Sequence, residues 1–376
     1  MAKIIPGAVQ YPFDAQSDPF FCAVSTALLP ALGITEDTPY WCAPNGKYCD
    51  HCGGCAKTTL QKHHLMLYHT LLAATGVAFC FDYPEDDEVE HHSMPGVEIG
   101  WRWPDAFVDS IMALAGLRWK RIRKGAPQDE IYAAVRESID AGFPVCARLG
   151  GSSPFGPDTA WQAITGYEDS AFIGLDSASH TLSDKADYRE DLFVLEDWCD
   201  CFVDAIIVTG RRERTVTLDD VLRRIVETLS HPSHGRLEVQ INAVIDTASP
   251  DNAFERAAML GGITGMPIEA RWHAAEAFCA HDTLLTSLTD DDTLKGSLGG
   301  LLFDRYLRDH NNETHGVCWK IWGQLGIGPS TGYGPVPDSG ARLLEHKEEL
   351  KRLFQIVFDN DRAVLEGICA LGEIGL

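Results

Sequence analysis

Nowhere does this chain run to the roughly 18 consecutive apolar residues that a membrane-spanning helix needs. Its stock of positive charge is also low: 31 Lys and Arg stand against 55 Asp and Glu, a formal net charge of −24. That balance argues against binding nucleic acid through its phosphates and against docking on an anionic membrane, since both need basic surface. The opening stretch MAKIIPGAVQYPFD has no apolar core after its lysine, so it does not read as a secretory signal. Neither GITGMP nor GIGPSTGYG forms a phosphate-cradling glycine loop behind a strand, so no nucleotide cofactor is expected. No fixed repeat period is evident, which excludes a solenoid. What remains is a globular composition, 45% hydrophobic and 23% charged, in 376 residues, long enough for two domains. Twelve cysteines without an export signal point to reduced thiols or metal ligands, and to a cytoplasmic location.

The two halves differ in pattern. In residues 1–212, Asp18-Pro19 reads as a helix start, apolar Phe21, Val24, Leu28 and Leu32 follow with helical spacing, and Gly33 is placed to stop the helix. Further helices are predicted over TTLQKHHLMLYHTLLAATG, around residues 105–115, and over PQDEIYAAVRESIDAG. Four short β-branched runs follow, FPVCARL, WQAITGY, AFIGLDS and DAIIVTG, with Glu168-Asp169-Ser170 as a hairpin turn. Helices first and strands afterwards predict an α+β domain with an antiparallel sheet. In residues 213–376, Thr217 with Asp220 three residues on resembles a capping box, and long amphipathic stretches predict an all-α helical bundle. Its length and amphipathic faces suggest a lid or a homodimer surface.

Cys22 falls in the first turn of the first helix, where the helix dipole and unbonded backbone N–H groups favour a thiolate. Gln16, six residues earlier, carries an amide that could donate to a developing oxyanion together with the Cys22 backbone N–H. Gln-x5-Cys at a helix start, a helical first half and a β second half resemble the papain-like cysteine peptidase fold. The likeness is greatest to the bacterial branch containing the peptidases that cut double-glycine leader peptides. It extends to the N-terminal domain of the butirosin-biosynthesis acyltransferase family, which also carries a helical C-terminal part. PVCARLGG, WQAITGYED and AFIGLDS resemble that branch's strand, Gly-Tyr-Asp hairpin, and strand ending in Asp. The resemblance implies a nucleophilic Cys22, an oxyanion donor in Gln16, and Asp176 as the acid that orients the catalytic histidine.

The histidine itself is missing. In the family it opens the strand that leads to Gly-Tyr, and here those positions hold Ala160 and Trp161. Neither side chain can take a proton from a thiol. Three readings stand. The base comes from elsewhere, either His180 or the His63/His64/His69 helix; or the thiol acts on a good leaving group such as a thioester; or the domain is catalytically silent and binds a ligand. A buried small hydrophobe is the ordinary fate of a free cysteine in a helix. The preferred reading is thiol-dependent hydrolysis or acyl transfer on a peptide or small-molecule substrate.

WCAPNGKYCDHCGGCAKTT holds Cys42, Cys49, Cys52 and Cys55 in a C-x6-C-x2-C-x2-C arrangement. Four thiolates in one tight loop suit a structural zinc or an iron–sulfur cluster, which opens a third reading, a metal-stabilised interaction protein. The competing reading is disulfides or free thiols in a surface loop. His51, His63 and His64 are substitute ligands. Three further features have plain readings: His91-His92 sits in a solvated acidic loop; Cys199 and Cys201 face one side of a strand; and Trp272, Trp319 and Trp322 pack the second core.

Overall fold

The structure, a computed structural model, describes residues 2–10, 19–39, 58–79, 105–150, 161–176, 186–189, 191–264, 268–280, 283–307, 314–328 and 334–372. Two compact units divide the chain: Met1–Leu71 with Ile99–Val216, and Leu72–Glu98 with Thr217–Leu376. The expected boundary at residue 212 falls short of Val216, and residues 72–98 group with the C-terminal unit. The cause is visible in the hydrogen bonds. The Thr217 capping box opens the next helix just after Val216, with Asp220 N donating to the Thr217 hydroxyl at 3.2 Å. The carbonyls of Ala78 and Phe79 are held by Arg271, deep in the C-terminal helices.

The first unit mixes helices with one antiparallel sheet, as its α+β pattern predicts. Its helices are α1 (Pro19–Ala31), α2 (Thr59–Ala74), α3 (Asp105–Ala115), α4 (Gln128–Asp140) and the single turn α5 (Trp198–Cys201). Its strands are β1 (Lys3–Ile4), β2 (Leu117–Arg123), β3 (Val145–Leu149), β4 (Trp161–Glu168), β5 (Ala171–Asp176), β6 (Asp187–Arg189), β7 (Leu192–Leu195) and β8 (Phe202–Arg211). The sheet order is β2-β8-β3-β4-β5-β7-β6, and β1 extends the edge of β4 beyond the end of β3, pairing Ile4 with Gly166. A Cβ at Gly166 would lie 2.3 Å from the Lys3 carbonyl, so only glycine lets β1 dock there.

Four of these helices end at a glycine with positive φ close behind: Gly33 after α1, Gly76 after α2, Gly116 after α3 and Gly142 after α4. These are the stop positions glycine suits because it carries no Cβ. Asp169 adopts φ 49° at the tip of the β4–β5 hairpin, and Tyr132 and Trp198 donate to the Asp169 and Ser170 carbonyls. The core between α4 and the sheet is apolar, with Ile131, Val135 and Ile139 of α4 against Val145, Ala147, Ile164 and Phe172. Strand β2 is hidden from sequence reading because LRWKRIR alternates its few buried residues with exposed basic ones. Cys199 and Cys201 sit in the single turn α5 rather than at strand spacing, where the Trp198 N–H···Ser170 anchor bends the chain before β8.

The second unit is helical among its described residues: α6 (Leu218–Leu229), α7 (Pro232–Asp246), α8 (Ala253–Ile263), α9 (Glu269–Cys279), α10 (Asp292–Tyr306), α11 (Thr314–Leu325), α12 (Ser339–Glu345) and α13 (Lys347–Leu371). Leu237, Ile241, Leu260, Ile321, Trp322, Leu353 and Phe354 build its core. Trp322 is buried as expected, whereas Trp319 is 41% exposed. Beside this core lies a buried ionic cluster. Arg271 donates to both oxygens of Asp361 (2.9 Å for the shortest), Tyr306 donates to Asp361 Oδ1 at 2.9 Å, and His234 Nε2 lies 3.8 Å from Asp361 Oδ2. Burial alone would expel a guanidinium; paired with a carboxylate and two carbonyls, it stays. No helix among the described residues is long and apolar enough to cross a membrane.

Candidate functional site

Helix α1 is the centre of the first unit, buried on every side from Phe20 to Leu29. A helix that is apolar all round is one buried from water on every side. Phe20 meets Trp161 edge-on, with ring centroids 5.1 Å apart, while Phe21 packs on Tyr68 of α2 and Phe107 of α3. The two small polar residues of α1 turn their hydroxyls back on the helix itself: Ser25 donates to the Phe21 carbonyl, and Thr26 to that of Cys22 at 2.9 Å. Such back-bonding satisfies a hydroxyl where no water reaches.

Cys22 is the fourth residue of α1, inside the first turn as the sequence predicts, and it is only 1% exposed. At 3.6 residues per turn its Cβ leaves the helix about 200° from that of Phe20. Phe20 touches Trp161 on the sheet, so Cys22 is directed away from that face, towards the side where α2 lies. There, His64 Nε2 approaches the Cys22 carbonyl oxygen at 3.3 Å, the Ser25 hydroxyl at 3.1 Å and the Thr26 hydroxyl at 3.2 Å. Both hydroxyls already donate to carbonyls, so these contacts suit an Nε2–H that donates. Burial lowers the His64 imidazole from its ordinary 6.5 to about 4, with the Cys22 carbonyl acting the other way. His69, one turn further along α2, is lowered to about 3 by burial. His63 faces elsewhere, with Nε2 3.0 Å from the Thr38 carbonyl. At neutral pH the two buried imidazoles are therefore neutral.

Asp176 ends β5, paired directly across from Gln162 of β4. Side chains alternate along a strand, so Asp176 shares its face with Gly174 and Phe172, and Phe172 belongs to the core under α4. The carboxylate accepts a hydrogen bond from Tyr188 of β6, which packs on that same core. Trp161 points to the opposite face, is fully buried, and lies against α1. The structure thus brings Cys22 close to His64 but places Asp176 across the sheet from α1.

The remaining sequence candidates, Gln16, Ala160, His180 and the four cysteines Cys42, Cys49, Cys52 and Cys55, lie outside the described residues, as do His51 and His91-His92. Among the described residues no group of three or more His, Cys, Asp or Glu is arranged to hold a metal ion. Sequence reading named His64 only as a possible base or ligand and missed its role as a link between α1 and α2. The signal was present: Leu60, His64, Leu67 and Leu71 share one helical face, which marks the histidine as inward-facing. Tyr188 was missed because it stands on a strand of three residues.

No family model matches this chain, and no curated protein matches it significantly.

Proposed function

We propose that the first unit is a papain-like domain whose Cys22 is a core thiol, and that it acts by binding a peptide or small molecule rather than by thiol chemistry. The observation that carries this reading is Trp161. It holds one of the two positions, with Ala160, where the resemblance expects the histidine, and its indole has no exposed surface and packs edge-on to Phe20. An indole supplies no lone pair to a proton, and its bulk takes the space an imidazole would need beside α1. The direction of Cys22, away from that face, and the commitment of Asp176 to Tyr188 on the other face support the same reading.

The test is the pH dependence of Cys22 alkylation in the native protein, followed by peptide mass spectrometry with Cys22→Ser as control. The expected result is slow labelling at every pH where the protein is folded, and fast labelling only in denaturant. Rapid native labelling with an inflection well below the free-thiol value of about 8.5 overturns it.

One observation favours a second reading, a hydrolase or acyltransferase with Cys22 as nucleophile, Gln16 as oxyanion donor and Asp176 as orienting acid. Cys22 lies in the first turn of α1, where the helix dipole stabilises a thiolate. That reading needs α1 to open locally, since a substrate cannot reach a thiol so deeply buried. We also propose that the loop of Cys42, Cys49, Cys52 and Cys55 holds zinc or an iron–sulfur cluster, as the chemistry of four clustered thiolates suggests. Elemental analysis and a visible absorption spectrum of the purified protein separate zinc, iron and neither; absence of both metals from protein purified without chelator overturns it.

A further inference from the structure

The second unit carries a polar and aromatic cluster that the reading of the first unit does not use. On α9, Trp272 and Glu276 are four residues apart and Cys279 three further on, so the three share one helical stripe. On α11, His315 and Trp319 have the same spacing. The stripes meet: the Trp272 and His315 rings are 5.9 Å apart, and Trp272 lies tilted against its neighbour His273, with ring centroids 4.1 Å apart. Trp319 Nε1 lies 3.3 Å from His315 Nε2, and its ring is edge-on to Trp322 at 5.2 Å.

Two details make this more than a packed surface. First, an indole N–H can only donate, so His315 Nε2 must accept and carries no proton. Trp319 thereby occupies His315 Nε2. Second, Glu276 is half-buried, and its carboxyl group forms no hydrogen bond or ion pair with any described residue. A half-buried carboxyl without a partner is costly when ionised; burial pushes it up to about 8, with His315 as the opposing influence. Its other charged surroundings give no relief, since Cys279 on the same helix is pushed up to about 12 by burial and by Glu276 itself.

We propose that Glu276, Trp272 and Trp319 form a binding site for a small organic ammonium ion. The carboxylate neutralises the charge, and the half-exposed indoles offer the electron-rich faces that attract alkylammonium groups. A compact ammonium with an alkyl body suits this site better than a metal ion, because the neighbouring groups are aromatic rather than a set of oxygen or thiolate ligands. The excess of negative charge on the whole chain also draws cations to its surface.

The experiment is calorimetric titration of the full chain with choline and with butylammonium, each against its uncharged counterpart, 3,3-dimethylbutan-1-ol and butan-1-ol. The expected result is saturable binding of at least one ammonium and none of the alcohols. Glu276→Gln, which keeps the shape, should weaken it about tenfold or more, and Trp319→Leu about fivefold. Quenching of tryptophan emission on binding should be lost or reduced in Trp319→Leu. Three results overturn the proposal: no saturable binding of either ammonium, alcohols binding as well as their ammonium counterparts, or unchanged affinity in Glu276→Gln. The melting temperature of each variant separates a lost site from a lost fold.

Discussion

Around Cys22 and around Glu276 the two units treat buried polarity in opposite ways. In the first unit the described hydroxyls of α1 turn to the nearest backbone: Ser25 and Thr26 bond to carbonyls one turn back, and the neutral His64 reaches the Cys22 carbonyl and the same hydroxyls from α2. In the second unit the polar groups are ionic. Arg271 and Asp361 form a fully buried pair with Tyr306 and His234 beside it, and a turn along α9 Glu276 makes no hydrogen bond or ion pair with any described residue. A neutral, locally satisfied group holds two helices together and has no surplus capacity for a ligand. An ionisable group without a partner has that capacity. By this contrast the α1 region is a core, and the ammonium site proposed above lies on α9 and α11.

The sharpest way to break the contrast is to unbalance the ionic cluster. Arg271→Met leaves Asp361 buried without its guanidinium, and a loss of about 3–5 kcal/mol is expected for breaking one side of such a pair. Hydrogen exchange of α9 and α13 amides reports it. The double variant Arg271→Met with Asp361→Leu should recover much of the loss, because it removes both charges; no recovery would mean the cluster is held by contacts other than its charges.

Next in size is Trp161→His, which puts an imidazole where the papain-like resemblance expects one. It removes part of a fully buried indole, and a cost of about 2–4 kcal/mol follows from the cavity left beside Phe20. Cys22 alkylation should stay slow, since the thiol leaves α1 on another side. An activated thiol in this variant would show that α1 is not the closed core argued here.

The smallest effect per group is the pH dependence of the buried imidazoles of both units, which runs opposite in sign to that of Glu276. His64, His69 and His234 titrate near 4, 3 and 4 in the folded protein, each lowered chiefly by burial. The unfolded chain, with imidazoles near 6.5, then binds protons more readily on the acid side. Their stabilisation is fully present above about pH 6.5 and is lost as pH falls, by about 2 kcal/mol per imidazole at pH 5. Glu276 acts in the opposite direction: its folded value is raised to about 8, so its protonated form favours the fold at low pH and that advantage disappears as pH rises towards 8. Urea unfolding across pH 5–8 should therefore become less acid-sensitive in His69→Leu, and Glu276→Gln should stabilise the protein more at pH 8 than at pH 5. Equal effects of Glu276→Gln at both ends would remove the argument that this carboxyl is strained when charged.

Much of this was legible beforehand. The helix ending at Gly33, the helix stopped by Gly142, the hairpin at Asp169 and the Thr217 capping box are all local events, set by residues within four positions of one another. Strands β6 and β7 were not legible, because three or four residues cannot display a period, nor was β2, whose exposed face is basic. The candidate site was legible in part. The first-turn position of Cys22 follows from the helix start, but whether its thiol meets position 161 depends on how α1 is rotated against the sheet. No run of residues within α1 encodes that rotation.

The sequence by itself determined the main helices, the central strands β3, β4, β5 and β8 that follow them, and the helical second unit, with the caps and stops that bound them. These follow from backbone sterics and from the spacing of apolar side chains, which act over one or two turns. Tertiary structure alone decided which face Cys22 and Asp176 occupy, that His64 is a neutral strut, and that Arg271 rather than Glu276 receives the buried counter-charge. Each of these turns on contacts between residues tens to hundreds of positions apart, where a rotation of one helix or a shift of one residue in a strand exchanges one partner for another.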